Sequence, residues 1–241
     1  MIRLWAILIL LATPVLGADC HDVTYQDTSY TVCQAQQGRD DLRLFYLDRH
    51  GQPYGQFFNL LSDLDDRGQT LAFGMNAGMY HRDLSPVGHY TENGTSHQSV
   101  ITSAGPGNFG MLPNGVFCIT ENGWDIFETL QFQSTSPPCQ FATQSGPMLV
   151  IDGKLHPRFI PDSTSRYIRN GVGVSGDRAY FVISNQPVNF YDFATFFRDH
   201  LETDWALYFD GNISRLYVAE PFRHDLGRSF GPMVGVVVNK R

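Results

Sequence analysis

The sequence has no run rich in lysine or arginine, and acidic residues outnumber basic ones by 24 to 17. The net charge of −7 disfavours nonspecific binding to nucleic acid, because the phosphate backbone attracts basic surfaces. The sequence also lacks internal repeats, low-complexity linkers and breaks in composition. With 241 residues, 42% hydrophobic and 17% charged, it has the composition of one folded domain rather than of a disordered chain.

No hydrophobic run is long enough for a membrane span, which needs about 20 residues. The longest run lies between Arg3 and the small pair Gly17 and Ala18. A positive start, a short apolar stretch and small residues at its end are typical of a secretory signal peptide. We therefore predict a signal peptide over residues 1–18 and a domain over residues 19–241. The protein is expected to be exported, periplasmic or extracellular, with no transmembrane segment in the mature chain.

Cysteine is scarce, and the four that occur are Cys20, Cys33, Cys118 and Cys139. An even number in an oxidising compartment suggests two disulfides. Three pairings are possible, and proximity along the chain favours Cys20 with Cys33 and Cys118 with Cys139. A zinc site is the competing use, but the spacings do not match those of zinc ligands. Lipid attachment at Cys20 is disfavoured by Asp19, because lipoprotein signals place a small residue there.

The spacing of apolar residues predicts many strands and few helices. Two segments have helical periodicity, residues 57–68 and residues 191–201, and Asp192 is the expected N-cap of the second. Strands are predicted in the segments 23–35, 41–48, 70–80, 115–120, 124–129, 148–156, 205–209, 213–220 and 233–241. Helices do not alternate regularly with strands, which argues against a doubly wound parallel sheet. We predict a single α+β domain with a mixed or antiparallel, sheet-rich core and a few short helices.

Four apolar segments are bordered by small clusters of glycine and polar residues. The clusters are Asn76-Ala77-Gly78, Ser145-Gly146-Pro147, Arg169-Asn170-Gly171-Val172-Gly173 and Asp210-Gly211-Asn212. Glycine permits close approach of the backbone to a ligand, and loops at strand ends commonly carry functional sites. If the four clusters converge, one pocket holds an arginine, a carboxylate, an amide and a hydroxyl. Each cluster is also ordinary turn chemistry, and Asp210-Gly211 between two alternating runs is a strong signal for a β-hairpin.

The order and content of these clusters resemble the phosphodiester glycosidase domain family. The segments that carry the resemblance are MNAGMY (75–80), SGPMLVIDGKLHPRF (145–159), RNGVGVSGDRAYFVIS (169–184) and ALYFDGNISRLY (206–217). The second predicted helix lies where the family has one, and PVGHYTENG and GNFGMLPNGVF are similar to the bacterial branch. The resemblance covers roughly residues 70–238. The chain departs from the family in having Asn-Ala-Gly for Asn-Gly-Gly, and Asn212-Ile213-Ser214 for a glycine-rich tail.

The resemblance implies hydrolysis of the bond between a sugar's anomeric carbon and a phosphate oxygen. The implied substrate is a sugar-1-phosphodiester, such as one of N-acetylglucosamine, or a related envelope glycan. Because phosphate is a good leaving group, a cation that binds it matters more than a strong acid, and the planar guanidinium of Arg169 suits this role. Asp210 is the predicted carboxylate, which activates water or stabilises the oxocarbenium-like sugar. The predicted substrate-binding residues are Asn76, Gly78, Ser145, Gly146, Gly171 and Gly211.

Other polar and aromatic residues have weaker claims to the site. Glu92 and His97, in HYTENGTSHQ, form a second candidate acid/base pair, with an exposed loop as the simpler interpretation. Asp152 fits a plain hairpin turn. Tyr80 and Trp205 are candidates for stacking on a sugar ring, although buried aromatic residues more often belong to the core.

Two further functions compete with this hydrolysis. A non-catalytic carbohydrate-binding or envelope-binding module would keep the pocket without turnover, and the substitutions after Asp210 favour it. A serine hydrolase using Ser145 is disfavoured, because the Gly-x-Ser-x-Gly elbow is missing. The predicted partner is a small-molecule or glycan substrate. No cofactor is predicted; Asp and Asn at loop tips suit Ca²⁺, but no spaced ligand set stands out.

Overall fold

The computed structural model describes residues 18–240, which form three sheets and three short helices. The strands are β1 (Asp19–Tyr25), β2 (Thr28–Gln36), β3 (Asp41–Phe45), β4 (Gln69–Asn76), β5 (Tyr90–Glu92), β6 (Thr95–Gln98), β7 (Gly115–Thr120), β8 (Gly123–Glu128), β9 (Phe141–Ser145), β10 (Met148–Ile151), β11 (Lys154–Leu155), β12 (Asn170–Ser175), β13 (Arg178–Ser184), β14 (Trp205–Asp210), β15 (Leu216–Val218), β16 (Arg223–His224) and β17 (Met233–Asn239). The helices are α1 (Phe57–Asp65), α2 (Thr129–Thr135) and α3 (Phe190–Thr195), and one π-helical turn (Phe196–His200) continues α3.

The predicted class, a single sheet-rich α+β domain, is confirmed. Every strand pair within the described range is antiparallel rather than mixed. None of the helices described is long and apolar enough to span a membrane. The predicted signal peptide, apart from Ala18, lies outside the described residues.

The largest sheet has seven strands in the order β1-β2-β13-β12-β14-β10-β11. Helix α3 and the π-helical turn pack on one of its faces, where Phe196 and Phe197 are fully buried. Phe196 stacks on Tyr30 of β2, with 4.0 Å between ring centroids. The predicted N-cap, Asp192, is wrong. The helix begins earlier, at Phe190, and its N-cap is Asn189, whose Oδ1 accepts a hydrogen bond of 2.8 Å from the backbone N–H of Asp192.

Two five-stranded sheets complete the fold, one ordered β16-β15-β4-β17-β3 and the other β6-β5-β9-β7-β8. The three sheets meet in one core, to which each contributes a buried phenylalanine. The ring of Phe181 in β13 lies 5.2 Å from that of Phe73 in β4 and 5.8 Å from that of Phe117 in β7. Strand ends from all three sheets therefore come close together, and the candidate site lies among them.

The first predicted helix is confirmed as α1, which packs on the β4 sheet through Phe57, Leu60 and Leu64. Helix α2 was not predicted. It has only seven residues, of which Thr129 and Phe132 are buried, so it offers no extended apolar period. Glu128 is the N-cap of α2. Its carboxylate accepts hydrogen bonds from the backbone N–H groups of Leu130 and Gln131.

Two disulfides are present with the favoured pairing, Cys20 with Cys33 and Cys118 with Cys139. Cys20 and Cys33 are register partners across β1 and β2. The hairpin predicted at Asp152 is also confirmed, because β10 and β11 pair directly around it. The backbone φ of Asp152, 49°, is in the left-handed region that such turns require.

The hairpin interpretation of Asp210-Gly211 is wrong. Strand β14, which ends at Asp210, pairs with β10 and β12 in the seven-stranded sheet. Strand β15, which follows, pairs instead with β4 and β16 in another sheet. The segment after Asp210 is therefore a crossover between two sheets, and its conformation has to be stabilised by contacts outside a local turn.

Candidate active site

A cavity of about 930 Å³ opens beside the end of β14. Three loops and the crossover after β14 form its wall, and the lining residues are Met79, Tyr80, His81, Arg82, Leu84, Val87, Pro106, Gly107, Asn108, Phe109, Asp210, Asn212, Ile213, Arg228 and Ser229. Its size and its mixture of aromatic, amide and charged groups suit a small polar ligand such as a sugar. Among the described residues that line it, Asp210 has the only carboxylate.

Asp210 is nearly buried, with 8% of its surface exposed. Its Oδ1 accepts hydrogen bonds from the backbone N–H groups of Gly211 at 2.6 Å and Asn212 at 2.9 Å. Burial raises the pKa of this carboxyl above its ordinary value, and the backbone hydrogen bonds only partly oppose the shift. Both of these hydrogen bonds reach Oδ1.

Two buried asparagines hold the crossover in place. Asn170 in β12 accepts hydrogen bonds at Oδ1 from the backbone N–H of Asp210 (3.1 Å) and the hydroxyl of Ser214 (3.2 Å). Asn76, at the end of β4, donates from Nδ2 to the carbonyl of Ile213 (2.7 Å). The two side chains are also joined to each other, since Asn170 Nδ2 donates to the carbonyl oxygen and Oδ1 of Asn76.

The structure does not bring Asn76 and Ser145 to the cavity surface. Asn76 is fully buried, and its Oδ1 also accepts from the backbone N–H of Arg215 at 2.9 Å. The Ser145 hydroxyl donates to the carbonyl of Phe209 at 3.1 Å, just before Asp210. Both side chains therefore position the end of β14 instead of facing the ligand space.

Arg169 lies one layer behind the cavity wall, with 1% of its surface exposed. Its guanidinium donates to the carbonyls of Val188 (2.8 Å) and Ser165 (2.9 Å) and to the hydroxyl of Tyr208 (3.2 Å). It also lies 3.7 Å from the ring centroid of Phe190. No carboxylate in the described part of the chain forms an ion pair with it, and burial lowers its pKa.

Tyr208 lies between Arg169 and the start of the crossover after β14. A Cβ atom at Gly211 would lie 2.2 Å from the Tyr208 hydroxyl and 3.4 Å from Arg169 Nη1. Any side chain at position 211 would therefore displace the tyrosine. The side chain of Asn108, which lines the cavity, also approaches Tyr208. Arg169 thus acts on the site through a second side chain.

The other predicted glycines are packing positions outside the cavity lining. A Cβ at Gly146 would meet the Cβ of Asn114 at 2.6 Å, and one at Gly171 would meet the Leu207 carbonyl at 2.5 Å. Gly78, with φ of 142°, directly precedes the lining residue Met79. These glycines allow neighbouring chain segments to approach closely, so their effect on the site is indirect.

Glu92 and His97 do not join Asp210, which corrects the prediction of a second acid/base pair in the site. Glu92 lines a separate cavity of about 300 Å³. Its carboxylate accepts hydrogen bonds of 3.1 Å from the Tyr46 backbone and the Tyr90 hydroxyl, and burial raises its pKa to about 7. His97 is exposed in β6, with its ring 6.0 Å from that of Tyr90.

Of the two candidate stacking residues, only Tyr80 lines the cavity. Its hydroxyl donates to the Ser229 carbonyl at 3.2 Å. Burial, followed by the charge of Asp210, raises its pKa, and Arg215 and Arg228 oppose this shift. Trp205 begins β14, whereas Asp210 ends it, so about 17 Å of strand separates them.

Sequence reasoning missed the cations that line the cavity, Arg82 and Arg228, and the imidazole of His81. These residues come from two loops that are far apart in sequence. Both arginines are exposed, and neither forms an ion pair within residues 18–240. The loop that contributes Asn108 and Phe109 could be recognised from sequence, because it belongs to the segment GNFGMLPNGVF, which is similar to the bacterial branch of the family. No cluster of three His, Cys, Asp or Glu side chains suited to a metal occurs within the described range.

Comparison with solved structures supports the fold. The catalytic domain of zebrafish N-acetylglucosamine-1-phosphodiester alpha-N-acetylglucosaminidase, auto-inhibited by its pro-peptide, has a TM-score of 0.64 and 13% identity, covering 96% of this chain and 85% of that one. A hypothetical protein from Synechocystis has a TM-score of 0.59 and 13% identity, covering 92% of this chain and 62% of that one.

Sequence comparisons show the family. The uncharacterised protein YigE of Escherichia coli (strain K12) is 36% identical over 207 residues, covering 85% of this chain and 80% of YigE. The family model described as phosphodiester glycosidase matches residues 69–237, the range that contains the crossover after β14 and all the residues lining its cavity. On this evidence, the chain belongs to the phosphodiester glycosidase family.

Proposed function

We propose that this protein is an exported hydrolase that cleaves a sugar-1-phosphodiester, such as one of N-acetylglucosamine, or a related envelope glycan linkage. The observation that carries the proposal is a sugar-sized cavity with a single lining carboxylate, Asp210, and two lining arginines, Arg82 and Arg228. The name of the zebrafish structural relative makes N-acetylglucosamine the first sugar to test. Export is supported by the two disulfides, which persist in oxidising compartments.

The set of charges suits a phosphate leaving group better than an alcohol. Hydrolysis of ordinary glycosides requires two carboxyl groups, one of which protonates the leaving oxygen. Here water attacks the anomeric carbon, and the bond from that carbon to the phosphate oxygen breaks with its electron pair on the phosphate. The departing phosphate is a weak base, so nearby guanidinium groups are sufficient to stabilise its charge.

Asp210 is the proposed catalytic residue. Its carboxylate takes the proton from the attacking water, or stabilises the positive charge that develops on the sugar ring. Its raised pKa brings it closer to neutral pH, where a general base is more effective. The hydrogen bonds from Gly211 and Asn212 fix its orientation, so little reorganisation is required in the transition state.

Arg169 is proposed as a positioning residue in place of the direct phosphate contact that the sequence favoured. Its guanidinium holds Tyr208, and Tyr208 lies against Gly211 beside the catalytic carboxylate. Asn76, Asn170 and Ser145 complete this supporting layer through their hydrogen bonds to β14 and the crossover.

The test uses the nitrophenyl phosphodiester of N-acetylglucosamine-1-phosphate in ¹⁸O-labelled water. The proposed reaction yields free N-acetylglucosamine labelled at its anomeric oxygen, together with unlabelled nitrophenyl phosphate. Asp210→Asn is expected to lower kcat at least about 100-fold. Asp152→Asn is the matched control, because Asp152 is a turn aspartate outside the cavity, and asparagine also tolerates its positive φ. Label in the phosphate, or equal rates for Asp210→Asn and wild type, would contradict the proposal.

A non-catalytic carbohydrate-binding module is the second candidate. It is favoured by the replacement of the family's glycines with Asn212-Ile213-Ser214, since Ile213 and Asn212 line the cavity and reduce its space. This alternative predicts that sugars or their phosphates bind while no product forms, and that Asp210→Asn leaves affinity unchanged. Turnover of any sugar-1-phosphodiester by the wild type would exclude it.

A further inference from the structure

The crossover after β14 separates two cavities. Besides the larger cavity next to Asp210, a smaller one of about 380 Å³ is lined by Gly211, Ser214, Arg215 and Arg223, among other residues. Asn212 lines both cavities. A ligand in either cavity can therefore contact Asn212.

The two arginines of the smaller cavity differ in their electrostatic state. Arg223 is neutralised by Asp225, through a bidentate pair with both N···O distances at 3.0 Å. Its remaining Nη1 donates to Thr31 Oγ1 at 2.8 Å and to Asn185 Oδ1 at 2.9 Å. Arg223 is thus a fixed, fully engaged part of the wall.

Arg215 has a cationic head with free hydrogen-bonding capacity. Its guanidinium makes one hydrogen bond, from Nη1 to the Ser214 carbonyl at 3.0 Å. Its Nε is buried and has no hydrogen-bond partner among the residues described, and no described carboxylate pairs with it. The Nη2 group makes no hydrogen bond to the described residues, so its N–H groups are available to an anion in the smaller cavity, which Arg215 lines.

The position of Arg215 is fixed by its surroundings. Its backbone N–H is held by Asn76 Oδ1. The guanidinium lies over Gly227, where an added Cβ would come within 2.2 Å of Arg215 Nη2. The charge of Arg215 also acts on Tyr80 in the larger cavity, together with the charges of Asp210 and Arg228. The charge of Arg215 therefore reaches a residue that lines the cavity of Asp210.

We propose that Arg215 is the principal phosphate-binding residue of this protein and holds the phosphate of the substrate where the two cavities meet. This inference rests on the proposed function and adds to it the residue that recognises the anion. The sugar then occupies the larger cavity beside Asp210. The bond between its anomeric carbon and the phosphate oxygen lies next to the crossover. Arg228, exposed at the mouth of the larger cavity, contributes longer-range attraction.

The inference is tested by titration calorimetry with three probes: N-acetylglucosamine-1-phosphate, N-acetylglucosamine and inorganic phosphate. Wild type is expected to bind the sugar phosphate at least about 10-fold more tightly than either other probe, because a charge-assisted contact adds to the sugar contacts. Arg215→Gln should lose this preference, and Arg215→Lys should keep part of it. Arg198→Gln, which removes an arginine paired with Asp199 on the π-helical turn, should bind like wild type.

Retention of the full preference by folded Arg215→Gln would overturn the inference. Equal binding of inorganic phosphate and the sugar phosphate would also overturn it, because the cavity would then be a site for free phosphate. If Arg215→Gln fails to fold, Arg215→Lys decides. A preference unchanged from wild type in that variant contradicts the proposed role of the guanidinium, and a partial loss supports it.

Turnover separates this inference from the proposed function. If the expected binding pattern appears but the diester is never cleaved, the proposed function fails while the role of Arg215 stands. If the diester is cleaved and Arg215→Gln cleaves it with unchanged kcat/KM, the role of Arg215 fails alone.

Discussion

Asn170 and Asp210 are register partners across β12 and β14, and the backbone N–H of Asp210 also donates to the side-chain Oδ1 of Asn170 at 3.1 Å. The strand pairing shifts register at this point, between Asn170 and Gly171. At this point the backbone N–H of Asp210 meets the side chain of Asn170, which also accepts a hydrogen bond from Ser214 in the crossover. The backbone of Asp210, the proposed catalytic residue, is therefore held by a side chain 40 residues away, at a point where the strand register shifts.

The first prediction concerns this amide. Asn170→Ala leaves the Asp210 N–H and several buried polar atoms without partners, so we expect a loss of about 2–3 kcal/mol in the free energy of unfolding. We also expect kcat/KM for the phosphodiester to fall at least about 10-fold, because the crossover loses its anchor. Urea unfolding and initial rates measure the two effects. Asn122→Ala, at an exposed turn, should change neither, and wild-type activity in Asn170→Ala would disprove the anchoring role.

The second prediction concerns the contact between Gly211 and Tyr208. Gly211→Ala places a methyl group within 2.2 Å of the tyrosine hydroxyl, so Tyr208 must move, and activity should fall at least about 10-fold. Tyr208→Phe removes that oxygen. Gly211→Ala should therefore lower kcat/KM much less in the Tyr208→Phe background than in wild type. A double-mutant cycle of kcat/KM values measures this coupling. Additive effects would show that the hydroxyl does not transmit the clash.

The third prediction concerns pH. Burial raises the pKa of Asp210 above the ordinary value of 3.8, and the proposed mechanism uses the ionised form. The value of kcat/KM should therefore fall on the acid side with a slope of one proton, beginning at a higher pH than the titration of an ordinary aspartate. Asp152→Asn should reproduce the wild-type profile. A flat profile between pH 4 and pH 7 would be incompatible with Asp210 as the required carboxylate.

The fourth prediction separates Glu92 from catalysis. Burial raises its pKa from 4.5 to about 7, so folding favours the protonated carboxyl. Its stabilising contribution is complete below pH 4.5 and is lost as the pH rises through about 7. Glu92→Gln stays neutral, so between pH 4.5 and 8 wild type should lose up to about 3 kcal/mol of stability relative to the variant.

Urea unfolding at several pH values measures this difference, with Glu121→Gln at an exposed turn as the control. Hydrolysis of the phosphodiester by Glu92→Gln should match wild type, because Glu92 lines another cavity. Parallel stability curves for Glu92→Gln and wild type would refute the buried-carboxyl interpretation, and loss of turnover would place Glu92 in the mechanism after all.

Residues close together in sequence determined most of the secondary structure and both disulfide pairs. Alternating apolar residues specified the strands, the aromatic stripe of Phe196 and Phe197 specified the helical segment on the large sheet, and proximity along the chain specified both disulfide pairs. Each of these features depends on residues near one another in sequence, where periodicity and short loops decide the outcome. The polar cluster around Asp210 could also be predicted from the sequence, because a carboxylate followed by glycine at the end of a buried strand is a local pattern.

Only the tertiary structure decided which polar groups face the ligand. Asn76 and Arg169 have the same residue types as surface ligand-binding groups, yet long-range strand pairing buries both and commits their donors to the chain. Arg215 and Arg228 reach the cavities because the chain crosses between sheets after Asp210. The physical reason is that a strand's side chains alternate between two faces, and which face meets a cavity depends on partners and register set by distant residues.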